Sequence, residues 1–372
     1  MNTEADVAKD GDIIDCSVLV PVLNEERQIA SCVAAMRAQR FSGQLEFLLV
    51  DGGSADRTCE ILSQLAHEDP RIRVLQNPRR TTPSGLNVAL AHASGRWVAR
   101  MDAHTWYPED YIALGIERLA RGDTRWVSGP ATPAGRGAVS RAVALALRTR
   151  LGRGGSQKWA DGRMPANSER ELDSGLFAGV WERSTLLEYG GWDEGWLRNQ
   201  DSEMAGRFLA RGERLICLTG MAAWYTPRNS LTSLFRQYFQ YGEYREKTAV
   251  RHPHTMRRSH LLAPAVVVTM GAAATAPRRL RSIARGALAT YGAALLAAAW
   301  RSAEAAEHPA DPMLVPAVLA IMHVAHGAGA LRGAVCNGPP LAALARVAGM
   351  RGLAARLAPP PQRVFAPSLV AD

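Results

Sequence analysis

The chain has 372 residues, 44 basic and 35 acidic, for a net charge of +9. That length supports one large domain with an appendage, or two domains, around a sizeable core. The charge favours phosphates, nucleotides or acidic lipid surfaces as partners; its scatter along the chain argues against nucleic acid, and five unpaired-looking cysteines exclude a disulfide framework and suit a reducing compartment.

Residues 1–14 are polar and acidic, without the apolar segment of a secretory signal, and read as a disordered tail. Residues 16–22 form a first strand, apolar enough to be buried on both faces, and Pro21 and Asn24 end it. A helix is expected over 25–39, with Ile29, Val33 and Met36 on one stripe. The second strand, 45–50, stops at Asp51-Gly52-Gly53-Ser54-Ala55-Asp56, a turn cluster before a helix carrying Ile61, Leu62 and Leu65. A short strand at 71–75 and a helix at 83–93, with Pro83 in its first turn, follow.

Residues 97–101 are a buried strand that ends in Asp102-Ala103-His104. The alternation so far is that of a doubly wound, mostly parallel sheet with flanking helices. In such sheets ligands sit outside the carboxyl ends of the strands. The polar strand ends, Asn24-Glu25, Asp51, Asn77 and Asp102, should therefore share one crevice. Asp102 and His104 are two residues apart, so extended backbone turns both to one side. A carboxylate and an imidazole there suit a divalent ion such as Mn²⁺, holding a phosphate-bearing substrate.

The stretch 135–167 is rich in Gly and Arg, with a helix expected at 139–151 and a loop beyond it. Further strands are expected at 176–181, 215–218 and 222–225, and a helix opens at Arg198-Asn199-Gln200-Asp201. Capping is the plain role for Asp201 and Glu203 there. Residues 231–260 are aromatic and amphipathic, with Gln237 and Gln240 among them. Apolar helices follow within 261–334, as runs at 261–276, 286–300 and 313–330; residues 335–372 are a basic, Pro-rich tail. The runs are short for bilayer spans, which need about twenty apolar residues, and core helices are the alternative. The flanking arginines place the first run in a membrane interface. They allow the other two to form a hairpin with its acidic tip, Glu304 to Asp311, on the far side.

Val20-Pro21-Val22-Leu23-Asn24-Glu25, Asp51-Gly52-Gly53-Ser54, Asp102-Ala103-His104 and Asn199-Gln200-Asp201 occur in the order and spacing of family 2 glycosyltransferases. The chain resembles that family over residues 15–260. The resemblance extends to its succinoglycan and exopolysaccharide subgroup through Tyr225-Thr226-Pro227-Arg228 and Gln237-Tyr238-Phe239-Gln240-Tyr241-Gly242. It implies a GT-A catalytic domain at 15–230, followed by a membrane-associated helical region. It also implies an inverting transfer from a nucleotide sugar, with UDP as its nucleotide, to a lipid-linked saccharide at the cytoplasmic face of the membrane. Pro21, Val22, Asn24, Glu25, Asp51, Arg80 and Asp102 would then bind the donor nucleotide. Asp102 and His104 would hold Mn²⁺ or Mg²⁺, with Mn²⁺ favoured because His104 replaces the usual second acid. Asp201 would be the catalytic base. Gln200 stands where the family has Glu, which removes a neighbouring charge and should leave Asp201 less basic than in a Glu-Asp pair. Glu203 is a reserve base, Arg245 a candidate contact to the diphosphate, and Trp181, Trp192, Gln237 and Gln240 are acceptor-side candidates. Transfer to polyprenyl phosphate itself, and a GT-A scaffold without turnover, are the alternatives.

Overall fold

The computed structural model describes residues 14–159, 165, 168–175 and 178–360. The expected disordered tail lies almost wholly outside them, and the end of the basic tail is also outside. The chain begins β1 Cys16–Val22, α1 Ile29–Arg37, β2 Leu45–Asp51, α2 Thr58–Glu68, β3 Ile72–Gln76, α3 Thr82–His92, β4 Trp97–Arg100. These four strands pair in parallel, with β1 between β2 and β4 and β3 outside β2. Alternate residues face opposite layers. Val18, Val20, Phe47 and Leu49 join one core cluster, while Leu19, Leu48 and Val50 join the other. Gly95 is needed just before β4, because a β-carbon there would lie 2.7 Å from the backbone nitrogen of Ser17. The first helix is shorter than expected: Glu25 to Gln28 form a turn, because Asn24 and Glu25 are bound to the loop after β2.

The next elements are β5 Thr105–Trp106, α4 Tyr111–Leu119, β6 Trp126–Ser128, β7 Ala131–Pro133, α5 Ala138–Arg148, α6 Arg150–Arg153, β8 Glu169–Leu172, β9 Gly179–Glu182, α7 Arg183–Glu188, α8 Gln200–Ala210, β10 Leu215–Leu218 and β11 Ala223–Tyr225. The main sheet has eight strands in the order β3-β2-β1-β4-β9-β6-β10-β8, and β5-β11-β7 form a second sheet. The main sheet is mostly parallel, as expected, with two strands running against the rest. β9 runs antiparallel between β4 and β6, and β8 antiparallel to β10.

The remaining helices are α9 Leu231–Arg251, α10 Leu262–Thr275, α11 Arg278–Ser302, α12 Asp311–Asn337, α13 Leu341–Val347 and α14 Arg351–Leu357. Helix α12 lies against α9 at close backbone range. A β-carbon on Gly329 would fall 1.9 Å from the Phe239 carbonyl oxygen, and one on Gly242 2.0 Å from that of His326. The segments 278–305 and 311–337 are long and apolar enough to cross a membrane by length and composition, though half of the apolar stretch of α12 is buried inside the protein. Helices α11 and α12 pack on each other with Glu304 and Glu307 exposed in the turn between them, but the end of that turn is not remote from the rest of the protein. Asp311 is buried and takes two hydrogen bonds, 2.8 and 3.1 Å, from the Arg141 guanidinium on α5. The turn between α11 and α12 is thus tied to the strand-and-helix domain. The outward faces of α10 and α11 carry exposed Val268, Leu280, Ile283, Leu296 and Trp300.

Candidate active site

The ends of β1, β2 and β4 meet at one edge of the sheet, as their register requires: Val22 lies beside Asp51, and Leu19 beside Arg100. Asp51 is buried and accepts hydrogen bonds from the Gly53 nitrogen at 2.8 Å and the Ser54 hydroxyl at 2.6 Å. Burial would raise its pKa, but the bonds from Ser54, Cys59 and Gly53 outweigh that and hold it below the ordinary carboxylate range. Asn24 adopts a left-handed backbone with φ 55°, and its side-chain oxygen accepts from the Ala55 nitrogen at 2.8 Å. Pro21 and Val22 complete the floor on β1. Arg80 reaches the carbonyls of Gly52 and Gly53 at 3.0 and 2.8 Å, so its guanidinium braces the turn and is engaged before any ligand arrives.

Asp102 and His104 follow β4. The His104 Nδ1 lies 3.1 Å from a carboxylate oxygen of Glu25. That contact fixes the ring and leaves Nε2 as the nitrogen free to bind a metal, the carboxylate–histidine arrangement common at metal centres. Burial opposes a charge on His104, but Glu25 and Asp102 outweigh it and raise its pKa. No group of three or more metal-type side chains gathers among the described residues. A divalent cation at Asp102 and His104 would therefore take its other ligands from substrate and water, as hard cations beside phosphates do. The donor set fits such an ion: one carboxylate with lone pairs to spare and one oriented imidazole.

Asp201 stands at the start of α8, after Asn199, whose φ is 57° and whose side-chain amide donates to the Tyr241 carbonyl at 3.1 Å. The residue that unites the site is Arg100. It is 3% exposed and donates to both carboxylate oxygens of Asp102, at 2.8 and 3.1 Å, and to Asp201 at 2.6 Å. Burial works against its charge, and the two carboxylates more than restore it. The Asp102 backbone nitrogen donates to the Tyr107 hydroxyl oxygen at 2.9 Å. Burial raises the Asp201 pKa, Arg100 and Lys158 pull it down, and Asp102 pushes it up; the net direction is upward. The charge lost at Gln200 is thus replaced by burial as a source of basicity. Sequence reasoning missed Arg100, although a lone cation inside an apolar strand, two residues before Asp102, was the signal for it.

Several expected site residues lie elsewhere. Trp181 and Trp192 are 1% and 0% exposed, packed with Trp126 and Phe208 in the core, and have no face for a sugar. Glu203 is fully buried and bound to Arg207 and His252, which hold its pKa down against burial; it is a structural ion-pair member rather than a reserve base. Gln237 donates to the Tyr225 and Tyr241 hydroxyls, and Gln240 accepts from Arg198, so both brace α9 against the site. A cavity of about 600 Å³ between α5–α6 and α11 lies away from all these residues.

The family model described as "Glycosyl transferase family 2" matches residues 17–158. The chain is 31% identical over 318 residues to the succinoglycan biosynthesis protein ExoA of Rhizobium meliloti (strain 1021), covering 84% of this chain and 92% of that protein. The chain is a family 2 glycosyltransferase. The enzyme is also 22% identical over 235 residues to a dolichyl N-acetyl-alpha-D-glucosaminyl phosphate 3-beta-D-2,3-diacetamido-2,3-dideoxy-beta-D-glucuronosyltransferase of Methanococcus voltae, covering 61% of this chain and 71% of that one. Among solved structures, a mannosyltransferase of Pyrobaculum calidifontis in complex with GDP-Man and Mn²⁺ superposes with a TM-score of 0.57. It is 20% identical and covers 86% of each chain, a likeness of fold. The transferase thus has the GT-A architecture, with its catalytic chemistry in polysaccharide or glycoconjugate synthesis.

Proposed function

We propose that the enzyme transfers a sugar, with inversion, from a UDP-sugar to a hydroxyl of a lipid-linked saccharide at the cytoplasmic membrane surface, in exopolysaccharide or surface glycoconjugate assembly. The observation that carries this reading is the Arg100 guanidinium, shared between Asp102 and Asp201. One cation spans a metal-type carboxylate and a basic carboxylate, so leaving group and acceptor can be served from the two sides of one crevice.

The chain's residues divide the work. The turn after β1, with Asn24 and Glu25, and the Asp51 turn supported by Arg80 form the nucleotide side. Asp102 and His104 are the residues that would hold Mn²⁺ or Mg²⁺, and a bound cation would neutralise charge growing on the departing diphosphate. Asp201 accepts the proton of the acceptor hydroxyl as its oxygen bonds to the anomeric carbon. The bond from that carbon to the diphosphate breaks, and nucleoside diphosphate leaves. A single displacement with one base inverts the anomeric centre. Arg100 keeps the two carboxylates in register.

The printed names of the two relatives, one in succinoglycan biosynthesis and one acting on a dolichyl phosphate-linked sugar, support a polysaccharide product and a lipid-borne acceptor. The GDP-Man and Mn²⁺ held by the mannosyltransferase support a nucleotide donor and a divalent ion. Exposed Leu280, Ile283, Leu296 and Trp300 on α11 support attachment along a membrane surface. The helices lie flat in this reading, since α12 is bound to α9 and α5 along its length.

The test is a panel of nucleotide sugars titrated into the full chain with Mn²⁺. A UDP-sugar should bind and turn over, and His104→Ala should weaken both. Mn²⁺-independent binding, or preference for a purine nucleotide, would overturn the metal or the donor assignment respectively.

A further inference from the structure

Beside Asp201, on the side facing the C-terminal helices, basic groups from four segments converge. Lys158 precedes Trp159, Arg245 comes from α9, His260 from the 3-10 turn Arg258–Leu261, and His326 from α12. Lys158 is close enough to interact with both Asp201 and Arg245, and Arg245 with His260 and His326. Among the described residues the Arg245 guanidinium donates only to the Ser202 hydroxyl, at 3.3 Å, next to the base. Among the described residues no carboxylate forms an ion pair with Lys158 or Arg245. Asp201 is already taken by Arg100 at 2.6 Å, and Glu246, which follows Arg245 and acts on it electrostatically, keeps a buried carboxylate oxygen without a partner. The His326 Nδ1 is likewise buried without a hydrogen-bond partner, as is the Ser259 hydroxyl beside His260. Burial, with repulsion from Arg245, pushes the Lys158 pKa down to about 8; burial, with repulsion from Arg257, pushes that of Arg245 down to about 10.

Enclosed cations without counter-ions cost several kcal/mol and are retained where a ligand supplies the charge. Here the donors are an ammonium, a guanidinium and imidazoles, a set that suits a compact oxyanion with several acceptor oxygens. Position selects the source. Asp201 marks the reacting end of the acceptor. Behind the cations, Gly327 of α12 packs on α10, whose outer face exposes Val268 and Met270. The order base, cations, apolar helices matches the order sugar, phosphate, lipid in a carrier-linked glycan.

We propose that Lys158 and Arg245, with His260 and His326, form a binding site for the phosphate group that joins the acceptor to its lipid carrier. The proposal rests on the acceptor reading above and sharpens it, because it gives the acceptor a required anionic group close to its reacting end.

The test uses the full chain in EDTA, so that no metal holds phosphate at Asp102 and His104. Inorganic phosphate is titrated calorimetrically, and phosphatidylcholine vesicles with and without polyprenyl phosphate are compared by co-sedimentation. Vesicles carrying polyprenyl phosphate should bind at least tenfold more tightly than plain ones. Lys158→Met with Arg245→Met should remove that gain, and Lys158→Arg should keep most of it. Inorganic phosphate should bind weakly at the same residues. Equal binding to both vesicle types, a gain that survives the double variant, or inorganic phosphate binding as tightly as the lipid would each overturn the proposal. Mn²⁺-dependent nucleotide binding, measured on aliquots of the same preparations exchanged out of EDTA into Mn²⁺, reports folding and the donor site. Its loss in the native chain would sink the transferase reading, whereas its retention with no phosphate binding would sink this proposal alone.

Discussion

The two sides of the crevice are built differently. On the nucleotide side the polar groups are already engaged: Asp51 by Gly53 and Ser54, Asn24 by Ala55, Arg80 by two carbonyls, and His104 by Glu25. On the side facing α9 and α12, Lys158 rests on the Trp159 ring and Arg245 donates to Ser202, but among the described residues neither has a carboxylate ion pair, and the His326 Nδ1 is buried without a hydrogen-bond partner. The first side is preorganised, with little left to order when a ligand binds. The second holds unbalanced charge, and its ordering waits on a ligand. Arg100 is the joint between them, and the predictions test whether the joint and the two sides behave as described.

The largest effect is expected at the joint. Arg100→Gln should lower turnover by about a thousandfold, roughly 4 kcal/mol, since it disturbs both carboxylates at once. The Arg100 cation lowers the Asp201 pKa, so its removal raises that pKa further. The base works deprotonated, so the acid limb of the pH–rate profile should move to higher pH. An unmoved limb with low turnover would leave Arg100 a purely structural role.

Glu203→Gln should separate stability from chemistry. It leaves Arg207 without its buried carboxylate, while Arg251 keeps Asp193, and should cost about 3 kcal/mol of unfolding free energy, read by denaturant titration. The folded Glu203 pKa is lowered, so its contribution is present above the unfolded glutamate range and is lost as pH falls through the folded value. The variant should lack that acid-side loss, and its turnover per folded molecule should equal that of the native enzyme.

On the nucleotide side, His104→Ala should weaken Mn²⁺-supported nucleotide binding by at least tenfold, and Glu25→Gln by somewhat less, because Glu25 acts through the ring it orients. Calorimetry with and without Mn²⁺ reads both. The smallest effect is expected at the periphery: Trp300→Ser on α11 should halve binding to anionic vesicles while leaving nucleotide affinity alone.

The same contrast governs what could be read from sequence. The apolar runs of β1, β2 and β4 and the acids at their ends signalled parallel strands and a shared crevice, because alternating burial and strand-end chemistry leave local marks. Strands of three or four residues such as β6, β8 and β9 leave no mark of direction, so the antiparallel insertion was not legible. Trp181 and Trp192 show why composition misleads: an indole reads alike whether it stacks on a sugar or fills a core. Arg100 was visible but looked like one more strand residue. For α12, the apolar run suggested lipid, while Gly329 facing Phe239 and Gly242 facing His326 mark a protein neighbour. The basic residues at 158, 245, 260 and 326 are distant in sequence and meet only in the folded chain.

The most direct test pairs two readouts on Asp201→Asn: Mn²⁺-dependent nucleotide affinity by calorimetry, and sugar transfer to the lipid-linked acceptor. Transfer should fall by a factor of about a hundred to ten thousand, the range general-base catalysis contributes, while nucleotide affinity stays within twofold. Near-native transfer with intact nucleotide binding would contradict the assignment of Asp201 as the base and would point to an acceptor that is already an anion.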